Sequence, residues 1–553
     1  MPIPVATVVC RGEQLNPRAE LLEIEIRREL NRIPEARLVL RDWVPGPGEL
    51  PLSDSGVLDP GAPVSIALRY AGAAGDRGQD KTLFKGLVVR HRLEARADGT
   101  VLRIDLKDAA FRLTRERKSA VFRNRRDDQV IGDLIRQAGV AVGRLATGCQ
   151  VHRELVQYYA SDWDFIVSRA DVQALVVDCH LGQVSLSPIY LSVPPRRQLR
   201  LGMDQDLREL ELEIDGAGQW AGIGALGWDL PQTQIRGPEQ ASDPAVAVGD
   251  LDADKIAAIA RTLGGETYTL FHPVPMEQAE LKAWADARLL RSRLALLRGR
   301  ALLAGDAALA PLDMVTIERV GKHFNTKAMV SGVVHRVEHS DWTTELQFGL
   351  SPEWYARRPD LAEVPAGGLL PPVSGLQIAK IAAFESDPLG EHRIKVELPA
   401  LDSARETVWA RVLHPDAGKD RGFVFWPEQG DEVVVGFLDA DPRQAVVLGA
   451  LYGSRQTPPA AVGAPTNSNP KRAIVSRNGA LVSFDDEHNR ITIATPGERQ
   501  IRLDDEAGQV VISDQKGNQV VLSDQGIVIR SAADLTIEAA GKVVIKGQTV
   551  DIQ

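Results

Sequence analysis

The sequence of 553 residues has few cysteines, no long hydrophobic run and no surplus of positive charge. The spacing of Cys10, Cys149 and Cys179 fits neither a zinc knuckle nor a disulfide framework, so we expect reduced, buried thiols and no metal. No stretch approaches the roughly eighteen apolar residues of a membrane helix, and residues 1–10 lack the pattern of a signal peptide. We therefore expect that the chain is made and assembled in the cytoplasm.

The composition is that of a soluble protein with several domains. Hydrophobic residues make up 44% of the chain and charged residues 25%, with a formal net charge of −10. A protein that coats nucleic acid needs an excess of Lys and Arg for the phosphates, which this chain lacks. We expect no nucleic-acid partner.

The first 350 residues predict two β-domains with helical insertions. Val, Ile and Leu alternate with polar residues over 1–110, which predicts an antiparallel barrel or sandwich. The apolar spacing becomes helical in 111–190, where Ser161 can cap a helix, so this segment is an expected α/β insert. Strand patterns resume in 191–350, a second β-region that also contains a long amphipathic helix at 276–297.

Proline-rich segments separate the later domains. We interpret 351–373 and 456–472 as linkers. Between them, 374–455 contains about five short strands, as expected for an OB-fold barrel. OB barrels can bind single-stranded DNA through basic grooves, but this one has nine Lys and Arg against thirteen Asp and Glu, so that use is disfavoured.

A repeat of short apolar strands fills the last segment, 473–553. The strand cores end at successive steps of 9, 10, 9, 10, 7, 8, 8 and 7 residues, at Phe484, Ile493, Leu503, Ile512, Leu522, Ile529, Ile537, Ile545 and Ile552. A short fixed period indicates a solenoid, in which no unit can bury its own apolar side.

The solenoid needs partners because its units are small. Ordering an eight-residue unit costs roughly 8 to 16 kcal/mol of backbone entropy, whereas burying two large apolar side chains returns about 3 to 6 kcal/mol. Three intertwined chains would pair the strand edges and direct the apolar residues to one axis. An ordinary meander or hairpin array remains open as an alternative, above all for Leu481 to Leu522.

Four segments resemble the VgrG spike proteins of type VI secretion and their relatives in phage tails and extracellular contractile injection systems. These are QYYASDWDFIVSRA at 157–170, the segment 324–350 with its Val-x-x-Val-x-His stretch, FWPEQGDEVVVGFLDADPRQAVVLGALY at 425–452, and the octad-like tail at 517–547. One departure is Pro311-Leu312-Asp313, which lacks the glycine of the family's Pro-Gly-Asp turn.

The resemblance implies a mainly β fold: two N-terminal hub-type β-barrels with α/β inserts, an OB-fold barrel and a C-terminal intertwined trimeric β-helix, the needle. It implies a homotrimeric structural spike that joins a sixfold tube to a threefold needle and punctures an envelope when a sheath contracts. The implied partners are an Hcp-like tube protein, baseplate hub proteins, a PAAR-type tip protein and effector cargo, with the target membrane met only transiently. The particle would be extracellular or injected.

The predicted assembly residues lie in the tail. Ile529, Ile537, Ile545 and Ile552 are the expected trimer core of the needle. Apolar residues continue almost to Gln553, so we expect a tip protein to dock on Val550, Ile552 and Gln553. The sequence ends there without a further effector domain, which favours an extracellular injection particle or a phage-tail-like device.

Residues with catalytic or metal-binding potential lack a supporting pattern. Asp178, Cys179 and His180 are adjacent and would point apart on a strand. His335 and His339 lie on an alternating strand, where His335 is expected to pack or bond in the barrel. The acidic runs 485–487 and 504–505 lack the spacing of a calcium loop. We expect no enzyme activity and no cofactor; the alternative is a trimeric tailspike-like protein that binds or degrades polysaccharide.

Overall fold

A computed structural model describes residues 3–16, 19–42, 50–72, 78–96, 99–401 and 406–553, so parts of the predicted first barrel lie outside the described residues. The chain forms two compact units, Met1–Glu363 and Val364–Gln553. Within the described ranges, no helix combines the length and the apolar character needed to cross a membrane.

The first part of the chain forms an antiparallel sheet. Its strands are β1 Ile3–Cys10, β2 Glu13–Gln14, β3 Glu20–Glu29, β4 Glu35–Arg41, β5 Pro63–Ala71, β6 Lys81–Arg96 and β7 Gly99–Asp108. Every second residue of β7 is buried, because successive side chains of a strand point to opposite faces. The inward residues, among them Ile24, Leu38 and Ile104, form one hydrophobic core.

The insert mixes helices with short strands, as predicted. A 3-10 turn at Ala109–Thr114 leads into β8 Arg117–Arg126, α1 Asp127–Gln137, β9 Ala141–Leu145, β10 Val151–Ser161, α2 Asp162–Val172, β11 Leu175–His180 and β12 Gln183–Pro188. The Ser161 hydroxyl accepts a hydrogen bond from the Asp164 amide at 3.1 Å, which confirms the predicted helix cap. Gly139, with φ of +67°, follows the end of α1.

The next part adds further strands and two helices. Its elements are β13 Arg197–Arg200, β14 Leu207–Ile214, β15 Gly222–Asp229, β16 Gln234–Gln240, α3 Ala253–Thr262, β17 Thr267–Pro275, α4 Gln278–Leu294, β18 Leu297–Ala304, β19 Met314–Glu318, β20 Thr326–Glu338 and β21 Asp341–Phe348. The helix predicted at 276–297 is shorter than expected, since Leu297 already pairs with Ile214 in the sheet. Helix α3, which Asp252 caps, was not predicted from the sequence.

The two halves of this unit share one sheet of thirteen strands. Strand β20 pairs with β3 in antiparallel register, and this pairing joins the halves. Each half keeps its own hydrophobic core, and Trp342 of β21 enters the first core, where its ring lies 4.9 Å from that of Tyr70. The mainly β fold class is confirmed, and the two predicted barrel regions are fused through their strands.

A buried ion network fastens the insert to α4. Asp127, at the start of α1, accepts hydrogen bonds from Arg169 Nε at 2.6 Å and from His152 Nε2 at 2.8 Å. Arg169 also donates to Glu280 of α4 at 3.0 Å. Burial raises the pKa of the Asp127 carboxyl, but the bonds from His152 and Arg169 outweigh that effect and the net pKa is lowered. Asp127 therefore stays ionised in the folded protein.

The predicted linker 351–373 is partly anchored. Tyr355, in a 3-10 turn at Tyr355–Arg357, is buried and donates its hydroxyl to Asp164 at 2.8 Å, while its amide donates to Asp171 at 3.0 Å. The guanidinium of Arg288 lies 4.9 Å from the ring of Trp354. This aromatic pair thus holds the start of the segment against α2 and α4.

The second unit starts with a closed five-stranded barrel. After a 3-10 turn at Pro365–Gly368 come β22 Gln377–Ile381, β23 Ile394–Glu397, β24 Val408–Val412, the two-residue strands β25 Ala417–Gly418 and β26 Arg421–Gly422, β27 Glu432–Phe437 and β28 Ala445–Ala450. The barrel order is β22-β23-β24-β28-β27. Its core contains Val396, Val433 and Val435. The predicted OB-type barrel is confirmed.

The C-terminal repeat forms a seven-stranded sheet in which each strand pairs with the next. The strands are β29 Lys471–Val475, β30 Leu481–Asp485, β31 Arg490–Ala494, β32 Gln500–Asp504, β33 Gln509–Ser513, β34 Gln519–Ser523 and β35 Gly526–Arg530. Residues 531–553, all described, form no strand. Within one chain the repeat is thus the meander that the sequence left open, because tight turns let each strand pair with its neighbour.

Candidate functional site

The C-terminal sheet carries a continuous apolar face. Strands β30 to β35 pair without register shifts, so residues that face each other across the ladder lie on the same side. Two rows form this side, and we call them together the apolar face: Ile474, Val482, Ile493, Ile501, Ile512, Val520 and Ile529 in the first, and Phe484, Ile491, Leu503, Val510, Leu522 and Ile527 in the second.

The opposite face of the sheet is mostly polar and forms its own bonds. Arg490 donates to Asp504 at 2.8 Å across β31 and β32. A hydrogen bond from the Ala507 amide, together with Arg490, holds the pKa of the Asp504 carboxyl below its usual value. This polar face is therefore suited to contact with solvent.

The apolar face is uncovered in the single chain. Ile493 is 45% exposed, Ile512 46% and Ile529 59%. Monomeric soluble proteins rarely expose a contiguous apolar surface this extensive, and such a surface marks an interaction site. The face therefore needs a partner.

The structure places the predicted assembly residues in two settings. Ile529 lies on the apolar face, where it pairs with Val520. Ile537, Ile545 and Ile552 lie in the strandless segment and are 69%, 66% and 86% exposed. Their common role as a needle core stays a prediction.

The predicted tip residues are also exposed in the single chain. Val550 is 50% exposed, and the Gln553 side chain donates to Asp551 at 3.2 Å. Docking of a tip protein on Val550, Ile552 and Gln553 likewise stays a prediction.

The repeat period anticipated the apolar face well. The strand-core ends predicted within the sheet, at Phe484, Ile493, Leu503, Ile512, Leu522 and Ile529, all lie on that face. What the period could not give is the residue that each core end pairs with on the neighbouring strand, because the pairing register depends on turn lengths.

Asp178, Cys179 and His180 do not form a catalytic group. Cys179 is fully buried, and burial raises the pKa of its thiol well above the usual value. Asp178 forms an ion pair with Arg28 at 2.7 Å, and His180 is exposed to solvent. A thiolate nucleophile is disfavoured at this position.

His335 and His339 are separated as well. His335 is buried, 3.0 Å from the Thr344 hydroxyl, and its ring packs near Trp342, which confirms the expected packing role. Burial lowers its pKa to about 4, so the imidazole is neutral near pH 7. His339 lies in the following turn with φ of +50°.

The acidic turn between β30 and β31 contains a small group of possible ligands. Carboxylate oxygens of Asp485 and Glu487 and a ring nitrogen of His488 lie within 4.8 Å of one another. Asp486, which the sequence analysis grouped with them, instead pairs with Arg472. His488 was not predicted as part of this group, because the acidic run 485–487 ends just before it.

Three family models match the chain in order along the sequence. The Alg8 N-terminal domain matches residues 2–339, the type VI secretion system/phage-baseplate injector OB domain residues 377–452, and the phage baseplate V C-terminal trimerisation domain residues 490–553. The first match alone covers more than half of the chain. The second coincides with the closed barrel and the third with most of the apolar face.

Curated relatives are similar over limited segments. The actin cross-linking toxin VgrG1 of Vibrio cholerae is 28% identical over 190 residues, which are 32% of this chain and 16% of that protein. The type VI secretion system spike protein VgrG2a of Pseudomonas aeruginosa is 35% identical over 103 residues, 17% of this chain and 12% of that protein. The matched segments thus span less than a fifth of these relatives.

Solved structures with a similar arrangement include tail proteins. A tail protein from Neisseria meningitidis MC58 has a TM-score of 0.46 at 13% identity and covers 64% of this chain and 99% of its own. The 43 kDa tail protein of prophage MuSo2 from Shewanella oneidensis has a TM-score of 0.44 at 10% identity, over 63% of this chain and 98% of its own.

Proposed function

Because the chain belongs to the family of the Alg8 N-terminal domain and is a VgrG-like spike protein by its injector OB and trimerisation domains, we propose that it is the structural spike of a contractile, phage-tail-like injection apparatus. The observation that carries the proposal is the uncovered apolar face within the matched trimerisation domain. A face of this kind requires assembly with other chains, because a monomer would leave it exposed to water.

The spike is a homotrimer with the apolar faces turned to a common axis. Each of the thirteen side chains on the face is partly exposed in the single chain. Covering them contributes on the order of 10 kcal/mol per chain, taking about half of a full side-chain burial for each. Threefold closure also gives every chain the same contacts.

The trimer extends the needle through residues 531–553. Ile537, Ile545 and Ile552 continue the spacing at steps of 8, 8 and 7 residues from Ile529. In the trimer this segment pairs with the neighbouring chains and forms the intertwined β-helix, with these four residues on the axis. The exposure of the segment in the single chain supports such a dependence on partners.

The first unit serves as the hub. Its two halves each have a core of their own within one sheet, which supports a ring of six similar domains from three chains. Such a ring matches an Hcp-like sixfold tube and the hub proteins of a baseplate. A PAAR-type tip protein docks on Val550, Ile552 and Gln553, and effector cargo travels with the spike.

The role is mechanical, without a catalytic step, a cofactor or nucleic acid. The spike assembles in the cytoplasm, leaves as part of an extracellular or injected particle and crosses the target membrane only transiently. Sheath contraction supplies the energy. The thiol of Cys179 is disfavoured as a nucleophile, which supports this reading over an enzymatic one.

Electron microscopy of particles from the producing cells tests the function. We expect an antibody against the chain to label one end of the tube, and deletion of the gene to give particles that no longer inject. Label confined to the cell surface, with turnover of bacterial glycans by the purified protein, would instead establish the tailspike-like alternative.

A further inference from the structure

An exposed arm projects from the OB-type barrel between β24 and β27. Apart from His414, every residue from Leu413 to Trp426 is exposed. The short strands β25 and β26 fold the arm back on itself, and the Phe423 amide donates to the Asp416 carbonyl at 3.0 Å. The arm is thus an ordered hairpin with little cover from its own barrel.

The returning half of the arm consists of four consecutive apolar residues. Phe423, Val424, Phe425 and Trp426 are 44%, 58%, 52% and 44% exposed. The rings of Phe423 and Phe425 lie 4.8 Å apart, and Trp426 meets His414 edge to face at 5.0 Å. Aromatic side chains bury large areas and concentrate at the centres of protein interfaces, so a solvated cluster of this kind predicts a partner.

The same barrel carries a second exposed apolar patch on the outside of β22, β27 and β28. Leu376 is 65% exposed, Ile378 45% and Leu448 41%. Gly436 lies between two of them, since a Cβ atom at this residue would lie 3.4 Å from Leu376 and 3.5 Å from Leu448, in van der Waals contact with both. We call these three leucine and isoleucine side chains around Gly436 the acceptor patch.

The arm ends beside the start of the C-terminal sheet. Arg477, in the turn before β30, donates to Glu428 at 2.9 Å, two residues beyond Trp426. This bond ties the base of the arm to the sheet whose apolar face is brought together in the trimer. The arm is therefore held where neighbouring copies of the barrel are close.

We propose that the arm of each chain packs its Phe423–Trp426 segment onto the acceptor patch of the next chain around the threefold axis. The inference rests on the proposed trimer and deepens it, because it names a second interface besides the needle. A donor surface and a different acceptor surface on the same barrel form a head-to-tail contact, which closes into a ring under threefold rotation. The ring locks the barrels where the needle begins.

Thiol crosslinking of the full-length chain tests the contact. Phe425→Cys is combined with Ile378→Cys in a background with Cys149→Ser, because Cys149 is exposed, contrary to the expectation from the sequence, while Cys10 and Cys179 are buried as expected. A short bismaleimide is expected to give covalent dimers and trimers. The matched control is Phe425→Cys with Lys395→Cys, which lies on β23 outside the acceptor patch and should stay uncrosslinked.

The outcomes separate this inference from the trimer itself. Trimers by light scattering without a ladder from the 425/378 pair would overturn the arm contact and leave the proposed function standing. A ladder from Phe425→Cys alone would mean that arms meet each other, which also overturns it. A monomeric parent protein would overturn both proposals.

Trypsin digestion of the unaltered protein gives a second measurement that needs no variant to fold. Arg421 is exposed in the single chain, and the proposed contact covers its neighbourhood. We expect cleavage after Arg421 to be at least about tenfold slower than in a peptide of residues 411–430, because cleavage requires the arm to open. Equal rates in the trimer would contradict the contact.

Discussion

At the level of single residues, the first unit contains an uncharged histidine that the sequence marks only as part of a motif. His335 is buried beside Thr344, and its environment includes Asp306, which raises its pKa, and Arg28, which lowers it. Burial is the largest effect and leaves the pKa at about 4. The imidazole of His335 therefore binds a proton less readily in the folded state than in the unfolded chain.

We predict that His335 makes the hub sensitive to acid. Its contribution is fully present above the unfolded pKa of about 6.5 and is lost as the pH falls towards the folded pKa of about 4. The loss amounts to about 3 kcal/mol by linkage. His335→Gln should flatten the dependence of unfolding free energy on pH in this window, measured by denaturant titration. His339→Gln is the matched control, and an equal flattening there would contradict the assignment.

A second prediction concerns the carboxylate at the start of α1. Asp127→Ala leaves the buried Arg169 without its shortest partner and should cost about 3 kcal/mol. Asp133→Ala on the same helix removes surface pairs with Arg125 and Arg136 and should cost less than about 1 kcal/mol. Calorimetry of the two variants compares them; similar melting temperatures would show that the buried network adds little.

At the scale of elements, the C-terminal repeat determines whether the chain can exist as a monomer. Because an apolar residue occurs at every second position, the C-terminal strands have one apolar face and one mostly polar face. In the single chain the apolar face is exposed to water. The apolar side chains of these strands would therefore be covered only in the proposed trimer.

The register of residues 531–553 can be tested with neighbouring substitutions. Ile537→Asp would place a carboxylate from each chain near one axis without a partner, at a cost of about 3 kcal/mol or more per chain. Thr536→Asp should be tolerated, because adjacent strand residues face opposite sides. Light scattering and calorimetry measure the size and stability of both variants. A stable Ile537→Asp trimer beside a dissociated Thr536→Asp protein would show that the register is reversed.

Local elements were predictable from the sequence because their signals are local. The Ser161 cap and the strand cores of the repeat follow from a few adjacent residues. The pairing of β20 with β3 joins positions some 300 residues apart, and no periodicity reports such a pairing. The network around Asp127 and the anchoring of Tyr355 depend on contacts of the same long-range kind.

At the scale of the whole molecule, the two units divide the proposed work. The first has buried hydrophobic cores and buried ion pairs within one chain. The second leaves its apolar face, its arm and its acceptor patch open to water. In the proposed trimer, the first unit would fold within one chain, and the needle and the ring of barrels would be completed only with two further copies.

The mass of the intact protein in solution tests this account most directly. Light scattering with size-exclusion chromatography should give one species at three times the chain mass of 60.2 kDa, unchanged on dilution. A monomer of 60.2 kDa at working concentration would contradict the account, because the apolar face would then remain in water.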